Sequence, residues 1–238
     1  MRLHSLVAWY LPFSRLWVIG FFVLLSTLYT SLALRPRSCP LVGYWECVAL
    51  VAYSHLEYAL LFLASIIASS ILWGYEFEAG YHYFTHHGGL RGLLVFSSKT
   101  VAVLTVVAVP YAIAKALALL VAGYPGLGGT VLGYLVVVAR LLAYAGAYTL
   151  VGVSLAGSVA ASTARTSYPI ILWSIALITL EPPGTLEDGL IGLKSLNSGL
   201  FSLIVVGGGV PQVGLGKYVI LYLPLALIIL AESLRDKG

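Results

Sequence analysis

Residues 56–121 read LEYALLFLASIIASSILW, then GYEFEAGYHYFTHHGGLRGLLVFSSK, then TVAVLTVVAVPYAIAKALALLV, and the order of these three pieces decides the fold. The outer pieces, Leu56 to Trp73 and Thr100 to Val121, are apolar runs close to the roughly 20 residues a helix needs to cross a ~30 Å hydrocarbon core. The middle piece gathers three of the five histidines and two of the nine acids between two runs that have almost no charge. Two membrane crossings joined by a polar connection follow, because an unsatisfied backbone is not tolerated in lipid and a helix satisfies its own.

The rest of the chain agrees with this reading. Of 238 residues, 60% are hydrophobic and only 9% charged, with a mean hydropathy of +0.98, whereas a soluble domain carries about 25% charged residues. The net charge is +4, yet thirteen Lys/Arg spread along the chain form no basic stripe, so neither disorder nor nucleic-acid binding fits. Asn197 and Gln212 are the only side-chain amides and Met1 the only methionine, a compositional pointer to a hot-growing source.

Working outward, the apolar runs predict an all-α integral membrane protein with six transmembrane helices in one domain spanning residues 1–238. The first is Leu16 to Leu34, ended by Arg35, Pro36 and Arg37. Its 19 residues exceed the h-region of a secretory signal, and it reads as a retained helix. Leu56 to Trp73 and Thr100 to Val121 are the second and third. Residues 129–161 are too long for one untilted span, so Arg140 is placed at a membrane face and the fourth helix runs from Arg140 to Ala161. The fifth is Ser167 to Leu180 and the sixth Tyr218 to Ala231. Ahead of them, residues 1–15 mix apolar, aromatic and basic side chains as an amphipathic interface helix does. Residues 181–217 are too apolar for an ordinary loop and too interrupted to cross, which predicts a re-entrant hairpin between helices five and six.

Six crossings put both termini on one side. With that side cytoplasmic, seven Lys/Arg lie inside and six outside, so the positive-inside rule gives almost no orientation. Glu57, Lys115 and Arg140 fall near or within spans, and their placement toward the outer face predicts that they snorkel. Cys39 and Cys47, eight apart, form either one loop staple or two separate thiols. Tyr144 and Tyr148, four apart, either line a translocation path or pack between helices.

Chemical motifs are sparse. His82-x-x-x-His86-His87 on a helix would place two imidazoles on one face, as in one histidine box of the membrane desaturases and hydroxylases. Only His4 and His55 lie outside the cluster, too few to complete a di-iron ligand set, and histidines at a polar interface are the simpler reading. No H-E-x-x-H, G-x-S-x-G or G-x-x-x-x-G-K-[ST] occurs, and aspartate appears only at Asp188 and Asp236. The chain therefore has no ATP-hydrolysing motif and no recognisable catalytic set.

The polar connection carries a second pattern. Glu76-x-x-x-Gly80, Thr85, Arg91 eleven residues after the glycine, and Lys99 eight after the arginine resemble the motif that follows the second helix in ABC-2 type permeases. These are the transmembrane subunits of ATP-binding cassette exporters. The six-helix plan, the amphipathic amino-terminal segment and the dipping stretch before the last helix also resemble that family; His87-Gly88-Gly89 replaces its usual proline near the arginine. The resemblance implies that residues 74–99 form a cytoplasmic coupling segment, with Glu76, Glu78, Gly80, Thr85, Arg91 and Lys99 as coupling residues. It also implies a separate ABC ATPase dimer carrying ATP and magnesium, a second permease copy, identical or homologous, and a plasma-membrane location with cytoplasmic termini. On this view the chain itself is not an enzyme and holds no cofactor. From position alone, Glu76 and Glu78 must face water, a partner or a basic residue such as Arg91, while Arg91 and Lys99 sit at headgroup level. Small residues, including Gly129-x-x-x-Gly133, allow close helix packing. The alternatives are an intramembrane metal enzyme built on His82, His86 and His87, or a structural membrane subunit that moves nothing.

Overall fold

The computed structural model describes residues 14–33, 55–80, 92–121 and 131–180, together with Asn197, Gly199, Leu200, Ile204, Val205, Leu227 and Ile228. Every element among the described residues is helical: α1 (Ser14–Ala33), α2 (His55–Glu78), α3 (Gly92–Val121), α4 (Val131–Thr163) and α5 (Ser167–Leu180). The first four are long and apolar enough to cross a membrane, and the chain is a multi-pass membrane protein. With 14 residues, α5 spans only about 21 Å at 1.5 Å per residue. Residues 1–13 of the expected interface helix and nearly all of the expected sixth crossing and re-entrant hairpin lie outside the described residues.

Contacts between helices fix their directions. Tyr111 of α3 meets Tyr144 of α4 with ring centroids 6.2 Å apart, and Tyr134 donates to the Ala116 carbonyl at 2.9 Å, so α3 and α4 run antiparallel. Ser65 and Trp73 of α2 face Gly152 and Gly157 of α4, so that pair is parallel. A Cβ at Gly152 would overlap the Cβ of Ser65; glycine is what lets these helices pack backbone to backbone. Trp173 of α5 donates to the Leu155 carbonyl at 3.2 Å and meets Phe62 edge-on, closing α5 against α4 and α2.

The close approach of α1 to α3 has a local cause. Pro110 lies inside α3 and has no N–H for the Val106 carbonyl four residues back. Gly20 of α1 rests against that carbonyl, where an added Cβ would sit 3.0 Å from the Val106 oxygen. Several hydroxyls within the apolar helices are satisfied along their own helix: Ser65 donates to the Leu61 carbonyl and Ser70 to the Ile66 carbonyl, both at 2.6 Å. Outward faces are apolar, as lipid contact requires, with Trp17, Phe21, Phe22 and Leu25 of α1 and Ile171, Leu172 and Ile175 of α5 exposed.

Three helix limits differ from those expected from the sequence. The second helix continues past Trp73 to Glu78, the third starts at Gly92 instead of Thr100, and the fourth starts at Val131 instead of Arg140. The turns added to the second and third helices contain Glu76 and Lys99, which pair inside the bundle, and the turns added to the fourth place Arg140 within the helix, where it bonds the Val205 carbonyl. Charge therefore did not mark the helix ends.

Candidate functional site

The described bundle has a polar cluster at each end. At the first end, α2 finishes, α3 begins and α4 turns into α5. Glu76 forms an ion pair with Lys99, with side chains 7% and 1% exposed. Lys99 lies two turns inside α3, and its ammonium is 5.5 Å from the centroid of the Trp73 ring. Lys99 is buried, and its carboxylate partner offsets the cost of that burial. Of the three surroundings that its position allowed, Glu76 has a basic residue, and that residue is Lys99.

Three polar atoms on one face of α2 have no hydrogen-bond partner among the described residues: Ser69 Oγ, Trp73 Nε1 and Glu76 Oε1, at i, i+4 and i+7. Each is buried, and together they make this face more polar than its apolar neighbours suggest. Trp73 also packs against Phe96 of α3 at 6.0 Å.

Glu78 leaves this cluster and reaches across to the turn between α4 and α5. Its carboxylate accepts from the Thr166 backbone N–H and from the Thr166 hydroxyl, both at 2.9 Å. These two bonds, with a smaller contribution from the Arg165 charge, hold the Glu78 carboxyl below its ordinary value. The contact is close because Gly74 permits it: an added Cβ there would lie 2.6 Å from the Thr166 Cα. Ala164 turns the chain with φ 53°, and Gly80 ends α2 with φ 74°, a left-handed conformation natural to glycine. Arg15 of α1 completes this end, 5.5 Å above the Tyr75 ring.

The opposite end is organised around Lys115, which is fully buried. Its ammonium donates to the Ser31 hydroxyl of α1 at 2.8 Å and lies 5.7 Å from the Tyr111 ring. Tyr111 leads to Tyr144, which stacks on Tyr148 at 6.4 Å and donates its hydroxyl to Asn197 Oδ1. One turn before Tyr144, Arg140 is part-buried and donates from Nη1 to the Val205 carbonyl at 3.1 Å. Snorkelling, expected for Lys115, is corrected by its full burial, whereas Arg140 is only part-buried. Tyr144 and Tyr148 are both buried within this chain.

Of the residues singled out in the sequence, the structure brings Glu76 and Lys99 together and puts Glu78 and Gly80 beside them. Thr85, Arg91, His82, His86, His87, Cys39 and Cys47 lie outside the described residues. Among the described residues, no three His, Cys, Asp or Glu side chains group to hold a metal. Thr166, Ser31 and Asn197 were not anticipated as structural partners. Signals existed for two of them: Thr166 falls in the short turn that the crossing count puts on the same side as Glu78, and Asn197 is the one asparagine in the chain.

The described residues define a helical, multi-pass membrane protein with charges buried at both ends of the described bundle. The chain matches no protein-family model, no curated protein and no solved structure.

Proposed function

We propose that this chain is the transmembrane subunit of an ABC-2 type exporter, working with a second permease copy, identical or homologous, and driven by a separate ABC ATPase dimer that binds ATP and magnesium. The observation that carries the proposal is the buried Glu76–Lys99 pair. It closes the base of the polar connection between α2 and α3, so force applied to residues 81–91 reaches both helices together. A buried charge pair resists being pulled apart, since separation strands two desolvated charges. That property suits a joint between a soluble motor and a membrane bundle that alternates between two packings.

In this reading Glu76 and Lys99 hold the joint, Glu78 and Gly80 set the exit of the connection, and Thr85 and Arg91 meet the ATPase. Both termini and residues 74–99 face the cytoplasm at the plasma membrane. The pathway forms between permease copies, and ATP chemistry resides wholly on the partner.

Co-expression of the full chain with ABC ATPases of the same genome, followed by purification in detergent, tests the proposal. A stable complex is expected, with single cysteines at His87 or Arg91 forming cross-links to the ATPase. A chain that never retains the ATPase, and whose residues 76–91 tolerate substitution without effect, would sink the proposal. Stoichiometric zinc or iron, lost in His82→Ala and His86→Ala variants, would replace it with a metal-enzyme reading.

A further inference from the structure

Between Gly74 and Gly80 the final turn of α2 makes two kinds of contact with the α4–α5 turn. Gly74 lies so close to the backbone of Arg165 and Thr166 that a methyl group does not fit, and Glu78 grips Thr166 through both its N–H and its hydroxyl. The two contacts lie four residues apart along α2, about one helical turn. A helix end held at two points a turn apart cannot pivot freely about either one. The Glu78 carboxylate also caps α5, because the Thr166 N–H it accepts immediately precedes the first helical residue, Ser167. The carboxylate is solvent-exposed, whereas the Gly74 contact is buried. One part of the joint is therefore accessible and reversible, the other steric and fixed.

We infer that the last turn of α2 and the α4–α5 turn form a single rigid unit latched by Glu78, so that motion of the chain entering residues 81–91 is delivered directly to α4 and α5. The latch belongs to the free chain. Its use in transport rests on the reading above, but its existence does not. Three of the five described helices, α2, α4 and α5, are then moved by one lever, with α3 tied to the same lever through Glu76 and Lys99. Opening requires something that takes the Glu78 carboxylate from Thr166, and a basic side chain of a docking partner has the chemistry to do so.

Pulsed electron-spin measurements on the full chain in lipid nanodiscs test this. Nitroxide labels are placed at the exposed Ala79 and Ser162 after Cys39 and Cys47 are changed to serine. The parent is expected to give one narrow distance peak. Glu78→Ala and Thr166→Val should each shift part of the population to longer distance, while Glu78→Gln, which keeps an accepting oxygen, should stay near the parent. Gly74→Ala, which wedges the backbones apart, should move the whole peak outward. Distributions unchanged in Glu78→Ala and Thr166→Val would overturn the latch; circular dichroism of the same samples shows whether a shift reflects loss of helix, which would equally overturn it. Addition of the ATPase and nucleotide separates the two readings. A latch that persists with no partner-induced change anywhere retains the inference and counts against the transport function alone.

Discussion

Both ends of the bundle bury positive charge, and the described partners differ in kind. At one end Lys99 is matched with a full opposite charge, Glu76, across α2 and α3. At the other, Lys115 hydrogen-bonds a neutral hydroxyl, Ser31, and lies over the face of Tyr111, joining α1 to α3. A carboxylate returns strong Coulomb energy but doubles the number of ions removed from water; hydroxyls and ring faces return less and cost less. Among the described partners, the first site is a charge pair and the second a hydrogen bond with a ring contact. The charge pair adjoins the polar connection, and the Lys115 site adjoins the tyrosines and Asn197.

The largest effect expected from this contrast is at Glu76. Glu76→Ala leaves Lys99 buried without its carboxylate and should cost about 3–5 kcal/mol, read as a lowered unfolding midpoint in detergent. Glu76→Leu combined with Lys99→Met removes both charges and should recover most of that loss. A double variant as unstable as the single would show that hydrogen bonding or shape, and not charge matching, holds this end.

Ser31→Ala probes the other end and should cost less, about 1.5–3 kcal/mol, the range for a hydrogen bond to a charged group. Lys115 retains the Tyr111 face in that variant. Equal losses in Glu76→Ala and Ser31→Ala, measured side by side, would erase the distinction between the ends. Next in size is Gly74→Ala, where a Cβ would meet backbone atoms 2.6 Å away and the cost should be about 1–3 kcal/mol from overpacking. Gly146→Ala is the matched control, since its Cβ would meet Leu104 Cδ2 at an ordinary 3.8 Å. It should be neutral or stabilising by up to about 1 kcal/mol, from helix propensity.

The apolar runs gave away the helices themselves, because crossing a bilayer demands length and hydropathy that nothing else in a chain imitates. They could not give the ends. Charges at Glu76, Lys99 and Arg140 were read as boundaries, a rule that holds when a charge has no partner at depth. Here the partner comes from another helix or from the Val205 carbonyl, and such pairing is a tertiary fact invisible to a count along the chain. The same reason explains the site. Scarcity singled out Glu76 and Lys99, but their mutual pairing emerges only when α2 and α3 pack antiparallel, and proximity in sequence had pointed Glu76 toward Arg91. Thr166 escaped notice because a half-buried threonine in a short turn has no distinguishing composition; the close approach at Gly74 gives it its role.

The smallest effect expected is also the most specific. Thr166 lowers the Glu78 carboxyl below its ordinary value, chiefly through its backbone N–H and then its hydroxyl. A group whose value falls on folding stabilises the folded state above its unfolded value, and that contribution is lost as pH falls through the lowered, folded value. The parent should therefore unfold at a higher temperature than Glu78→Gln at neutral pH, and the gap should close as the solution is acidified below the ordinary carboxylate range. Because Glu78 is exposed, added salt should narrow the gap at neutral pH, whereas screening should scarcely touch the buried Glu76–Lys99 pair. A gap that survived both acid and salt would mean that Thr166 reads the shape of the side chain and not its charge. The exposed latch would then be steric throughout, and the contrast between reversible and fixed parts of that joint would disappear.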